Sequence, residues 1–228
     1  MIAMQVLSKE ETAARIAKNV AAMIDRQAEK TFVLNLGVGI PTQGATYVTN
    51  ENVYIHAENG MVGVGPLATP EQVHPMLINA GRQPVTETPG CAYLDSSLSF
   101  GMIRGGYVDA TVLGAFEVDQ DANVSNWIVP NGKQLGVGGA MDLVAGAKQV
   151  IIAMTHTSKG KAKLIPHCTL PITSPGAVKY VVTEYGIFDF CGGKVTLTAM
   201  APDITLDELK SITALEYEVA ENLQTMVV

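Results

Sequence analysis

The sequence predicts an α/β fold: a single domain, residues 1–228, built on an open, mostly parallel β-sheet with flanking helices. Three observations carry that expectation. Apolar runs such as "TFVLNL" (31–36), "VYIHA" (53–57) and "QVIIAM" (149–154) read as strands covered on both faces. Segments with helix-start signals are interleaved with them, the order that gives parallel strands and crossover helices. Glycine-rich loops follow the strands, at the carboxyl edge where open α/β sheets gather ligands.

Taken in order, the first element is an amphipathic core helix. Ser8 and Glu11 stand at capping-box spacing, and Ala13, Ile16, Ala17, Val20 and Ile24 form one helical stripe, a pattern unlike a secretory leader. "TFVLNLGVGIP" is a buried strand entering a glycine loop, "TQGATYVT" the short helix after it, and "VYIHAE" the next strand. From Gly60 to Gly90, Pro66, Pro70, Pro75, Pro84 and Pro89 predict a loop-rich stretch without long elements. "AYLDSSLSFGMI", "DATVLGAFEV" and "NVSNWIV" read as strand-like pieces separated by "RGG" and "DQDAN" turns. "VGGAMDLVAGA" enters a short helix through glycines, "QVIIAMTH" is a strand, and "YVVTEYGIFDF" with "KVTLTAMA" closes the β content. Thr205 and Glu208 repeat the capping-box spacing at the start of a C-terminal helix. No repeat or linker divides the chain.

Composition narrows the function. Hydrophobic residues make up 47% and charged residues 16%, as in a well-buried globular protein. A net charge of -7 and no basic cluster beyond "SKGKAK" (158–163) argue against a nucleic-acid surface. The longest aliphatic runs are far too short to span a bilayer. Cys91, Cys168 and Cys191 show no CxxC spacing, so reduced thiols and a cytoplasmic setting are expected. His56, His74, His156 and His167 show no metal-ligand spacing, and the serines of "DSSLSF" no nucleophile elbow.

The chemistry-bearing stretch is "VYIHAENGMVGVGP" (53–66), where a core strand stops at Glu58 and Asn59-Gly60 follow. Residue type alone leaves two readings: a carboxylate accepting turn N–H groups, with Asn59 and Gly60 supplying positive φ, or a reactive carboxylate in a loop that lets a ligand approach. The loop "LGVGIPTQG", with Gly37 and Gly39, has the strand, glycine loop and helix order of anion sites, and also reads as a tight turn. "GVGGAMDLV", with Gly138 and Gly139, is a glycine-led helix start or a packing contact.

Together, "NLGVGIPT", "ENGMVG", "DSSLSF", "IRGGYVDATVLGAFEVD", "NWIVP", "GVGGAMDLV", "GAKQVIIAMTHTSKGK", "HCTLP" and "VTEYG" resemble the β subunits of the family I CoA transferases over nearly the whole chain. The resemblance implies the fold shared by CoA transferases and sugar-phosphate isomerases. It implies Glu58 as the nucleophile, with Ala57 where the family commonly has Ser. Chemistry at that carboxylate needs N–H donors for anionic intermediates, for which the backbone at Gly138 and Gly139 and the Asn59 side chain are the candidates in this chain, with Gly60, Gly37 and Gly39 also expected around the substrate. The resemblance also implies an α-subunit partner in an α2β2 or larger hetero-oligomer, with acyl-CoA and a short-chain carboxylate (acetate, acetoacetate or butyrate) as substrates. CoA enters as substrate, and neither a metal nor an organic cofactor is expected. Two alternatives stand. One is a 3-oxoacid or 3-oxoadipate CoA-transferase chain that uses a dicarboxylate donor and places a cation such as Arg82 or Arg104 in its acyl pocket. The other is a ligand-sensing module in which Glu58 is only a turn acceptor.

Overall fold

The computed structural model describes residues 7–130, 132 and 136–228. Residues 1–6, part of the stretch read as lacking a leader, lie outside the described residues. Helix α1 (Lys9–Gln27) starts at its expected cap: the Ser8 hydroxyl accepts the Glu11 N–H at 3.2 Å, and the Glu11 carboxylate accepts the Ser8 N–H at 2.8 Å. All five residues of the predicted stripe are buried. Then follow β1 (Phe32–Leu36), the one-turn α2 (Ile40–Gln43), β2 (Val53–Ala57), β3 (Met61–Leu67), β4 (Val85–Tyr93), α3 (Ser96–Arg104) and β5 (Ala110–Leu113). β6 (Glu117–Asp119), β7 (Val124–Ser125), α4 (Ala140–Gly146), β8 (Val150–Ala153), β9 (Thr157–Ser158), β10 (Lys161–Ala162) and β11 (Leu164–Ile165) lead on. The chain closes with β12 (Tyr180–Val182), β13 (Gly186–Asp189), β14 (Thr196–Met200), α5 (Leu206–Ile212) and β15 (Glu218–Thr225).

Ten strands form one sheet in the order β15-β14-β13-β12-β8-β5-β1-β2-β3-β4. Its middle, from β12 to β2, is parallel throughout, and antiparallel pairs flank it on both sides. Every residue of β5 and β8 is buried, as strands with both faces covered must be. The capping box predicted for the last helix is present, with Thr205 and Glu208 bonded reciprocally.

Three expectations are corrected. The stretch from Gly60 to Gly90 contains two long antiparallel strands, β3 and β4. Their prolines are tolerated because the ladder slips there: register shifts fall between Val62 and Val64 and between Val64 and Leu67, so Pro66 and Pro89 sit in bulged stretches. "DSSLSFGMI" is helical rather than strand-like. Asp95 caps α3 by accepting the Leu98 N–H at 2.9 Å, and Ser99 and Ile103 bury one face at i, i+4. β15 lies beyond the point where the β content was expected to end, pairing parallel to β14 at the sheet edge.

A buried histidine after β8 ties the turn after β12 to the end of α5. His156 is fully buried, with Nδ1 3.1 Å from the Thr183 hydroxyl and Nε2 2.9 Å from that of Thr213. Burial pushes its pKa down to about 4, below the ordinary 6.5, with the Lys163 charge acting in the same direction. Below pH 6.5 the unfolded chain takes up a proton that the folded chain refuses, so stability present at neutral pH is lost as the pH falls. The expected loss between pH 6.5 and 4 is about 3 kcal/mol from this group. His156→Gln should flatten that part of the stability-versus-pH curve in denaturant titrations, even though the variant is less stable at pH 7.

Candidate active site

Three polar side chains cross the middle of the sheet in one row. Thr111 on β5, Asn35 on β1 and His56 on β2 are register partners, and each is at most 1% exposed. A polar residue in the interior of "FVLNL" requires partners, and Asn35 has a full set. Its Oδ1 accepts from the Thr111 hydroxyl at 3.1 Å. Its Nδ2 donates to the His56 carbonyl at 3.2 Å and to Glu58 Oε2 at 3.1 Å. The His56 carbonyl and the Glu58 carboxylate only accept, so they fix the amide's NH2 end towards them and leave Oδ1 for the Thr111 hydroxyl.

Glu58 leaves the end of β2 on the same side as His56, while the intervening Ala57 turns its methyl into a separate apolar cluster with Met61, Val64 and Val85. The family's usual Ser at that position would therefore put its hydroxyl on the face away from Glu58. The Glu58 backbone is also held, because its carbonyl accepts the Ser99 hydroxyl at 2.9 Å. That leaves the Ser99 oxygen to accept from His56 Nε2–H at 2.9 Å. Burial lowers the His56 pKa, and the Glu58 charge opposes that shift. His56 is therefore a neutral donor, and its Nδ1 is buried without a hydrogen-bond partner among the described residues.

The turn after Glu58 is tight. Gly60 N–H bonds to Ala57 O at 2.9 Å and Gly60 O accepts Leu94 N–H at 2.8 Å. Gly60 has φ +124°, and a Cβ there would collide with the Leu94 carbonyl. Asn59 does not share the positive φ expected of it; its side chain reaches away, donating to the Ile78 carbonyl at 2.9 Å. On the other side stands the glycine loop that opens α4. A Cβ on Gly139 would lie 3.5 Å from Glu58 Cγ and 3.4 Å from Phe100 Cζ, so this backbone packs directly against the carboxylate's stem.

The other predicted glycines divide. Gly138 has open space around it, as does Gly39, which precedes α2. Gly37 serves packing: its N–H bonds to Val112 O at 2.8 Å, and a Cβ would come within 3.1 Å of that same oxygen. Arg104 is paired with Asp142 at 2.7 Å and lies over the Phe100 ring, while Arg82 sits with φ +62° in the turn between β3 and β4. Among the described residues no group of three or more His, Cys, Asp or Glu is placed to hold a metal. Sequence reasoning missed Asn35, Thr111 and Ser99. Asn35 alone carried a signal, a lone amide inside an apolar strand.

The coenzyme A transferase profile matches residues 17–211. The beta subunit of the acetate CoA-transferase of Escherichia coli is 44% identical over 92% of this chain and 95% of its own length. The corresponding B-type subunit of the succinyl-CoA:3-ketoacid coenzyme A transferase of Helicobacter pylori is 39% identical over 87% and 98%. Among solved structures, an acyl-CoA transferase of Escherichia coli O157:H7 superposes with a TM-score of 0.73 at 24% identity. That match covers 92% of this chain and 43% of the other, so this chain spans less than half of that one. Glutaconate coenzyme A-transferase of Acidaminococcus fermentans gives 0.70 at 18% identity. At these identities the structural likeness concerns the fold. The chain belongs to the coenzyme A transferase family, and within it to the β-type chains.

The contact between Gly139 and Glu58 can be tested. Gly139→Val drives branched methyls against Glu58 Cγ and Phe100, and transfer activity should fall by about a hundredfold or more. Gly139 does not have a positive φ, so the thermal midpoint should drop only modestly. An equal loss of stability and activity would mean that the glycine serves packing alone.

Proposed function

We propose that this chain, completed by an α-type partner, moves CoA between a short-chain acyl-CoA and a carboxylate such as acetate, acetoacetate or butyrate, with Glu58 as the nucleophile. The observation that supports this most is the carboxylate itself, half-buried at the end of a parallel strand and hydrogen-bonded to the clamped Asn35 amide. One such bond leaves the second carboxylate oxygen available for attack. The Gly139 backbone, with no side chain, leaves room for a bulky thioester to approach.

Glu58 carboxylate attacks the thioester carbonyl, forming an acyl–glutamyl anhydride as the C–S bond breaks and CoA leaves as thiolate. The thiolate attacks the glutamyl carbonyl, expelling the acid and leaving Glu58 as its CoA thioester. An incoming carboxylate runs the two steps in reverse. Atoms and charge balance without metal or organic cofactor, CoA being a substrate. Each tetrahedral intermediate is an anion and calls for N–H donors. The backbone around Gly138 and Gly139 is our candidate in this chain, and the partner supplies the remainder. Asn59 is less suited, because its amide already serves Ile78.

Large apolar side chains stand exposed on and beside the β3–β4 pair, among them Leu67, Val73, Met76, Ile78 and Tyr93, with Met76 84% exposed. We assign this face to the α-type partner, in an α2β2 or larger assembly acting in the cytoplasm. No helix among the described residues is long and apolar enough to cross a membrane. A second reading, exchange from a dicarboxylate donor to a 3-oxoacid, draws on the relatives named for succinyl-CoA.

Incubating the assembled enzyme with acyl-CoA alone should add the mass of CoA to the Glu58 peptide, and borohydride should remove it by reducing the thioester. Glu58→Gln should lower transfer by roughly a thousandfold or more. Near-normal transfer by that variant would refute the nucleophile, and succinyl-CoA outperforming acetyl-CoA and butyryl-CoA as donor would favour the second reading.

A further inference from the structure

The carboxyl ends of β1, β5 and β8 border a pocket of about 150 Å³, open to solvent past the exposed Val38 side chain, that Glu58 does not line. Val38, Ile40, Pro41, Ala115 and Met154 give it apolar walls, and Lys163 is the one charged side chain that lines it. The Lys163 backbone is pinned on both sides: its N–H donates to His156 O at 3.2 Å and its carbonyl accepts the Val118 N–H at 3.0 Å. Its Nζ has no hydrogen bond or ion pair among the described residues; the carboxylate that bears on it electrostatically is Glu184. Glu184 is itself occupied, accepting the His156 N–H at 2.8 Å through its carboxylate and the Arg15 guanidinium through its backbone carbonyl.

We propose that this cavity binds a short aliphatic monocarboxylate, with Lys163 at the carboxylate and the apolar walls around the tail. The name of the ligand rests on the carboxylate-exchange reading above, while the site rests on the cavity and its unpaired ammonium. A pocket of this volume has room for about six heavy atoms, the count of butyrate. CoA phosphates would call for several cations where one is present.

The site lies beside the reactive carboxylate rather than on it. β2, which carries Glu58, is two strand positions from β5 and three from β8, roughly 10 to 14 Å at ordinary spacing. Burial lowers the Lys163 pKa to about 8, with the nearby Glu184 charge opposing the shift. The ammonium is therefore charged at neutral pH and discharged above pH 8. His156 faces it as a neutral ring, and the Arg15 charge is taken up by Asp203, paired at 2.8 Å.

The test is calorimetric titration of the complex, purified with its partner chain and free of CoA, using butyrate and the uncharged butyramide as probes. Butyrate should bind and butyramide should not. Lys163→Met should weaken butyrate binding by at least about tenfold, Lys163→Arg by no more than about threefold. Glu58→Gln should leave binding within about threefold of wild type, which separates this site from the nucleophile. Wild-type affinity should fall as pH rises through about 8. Equal binding of butyramide, undiminished binding by Lys163→Met, or absence of butyrate binding in the wild type would each overturn the proposal. Butyrate binding in a complex that forms no CoA thioester would keep it and overturn the exchange reading instead.

Discussion

One buried amide links the sheet to the candidate chemistry. Asn35 has no exposed surface, and each of its hydrogen-bonding contacts is to a neighbouring strand or to the loop that follows one. Its position is set by parallel register on both sides, to Thr111 and to His56, so the carboxylate of Glu58 is located by the same hydrogen-bond ladder that holds the core. A one-residue slip of β1 would turn Asn35 to the opposite face and leave both the carboxylate and the Thr111 hydroxyl without it. Register of the parallel centre is thus a condition on the geometry of the candidate site as well as on stability.

A second chain of contacts steadies the same residue from the helix layer. His56 donates to Ser99, and Ser99 donates to the carbonyl of Glu58, which joins β2 to the first turns of α3. α3 also carries Phe100, which packs at Gly139. Side chain and backbone of Glu58 are therefore held by different elements, the sheet and a helix. This is the support a reactive group needs if it is to keep one geometry while substrates exchange.

Much of the architecture was legible in the sequence. The α1 stripe, both capping boxes, the buried strands and the position of Glu58 at a strand end follow from local chemistry that the structure repeats. The misreadings have different causes. Pro66 and Pro89 look like breakers, yet bulges remove the ladder bonds that proline cannot make, and bulges depend on pairing between residues far apart in sequence. "DSSLSF" carried its own cap in Asp95, but the β-like run before it masked the switch of period. Lys163 could not be picked out from "SKGKAK", because only the fold separates one lysine lining a cavity from its exposed neighbours.

Glu58 also stands at a seam. Behind it lies the main core; beyond it, the β2–β4 region packs around its own small cluster of Ala57, Met61, Val64 and Val85. Two cores of unequal size divide a chain into cooperative units of unequal opening free energy, the smaller opening first. The Asn35 side of the site belongs to the durable unit and the Gly60 turn to the labile one. Amide hydrogens of the hairpin would therefore exchange by local opening that leaves the central strands protected. The loop around the carboxylate can in this way breathe while the group that aims it stays in place.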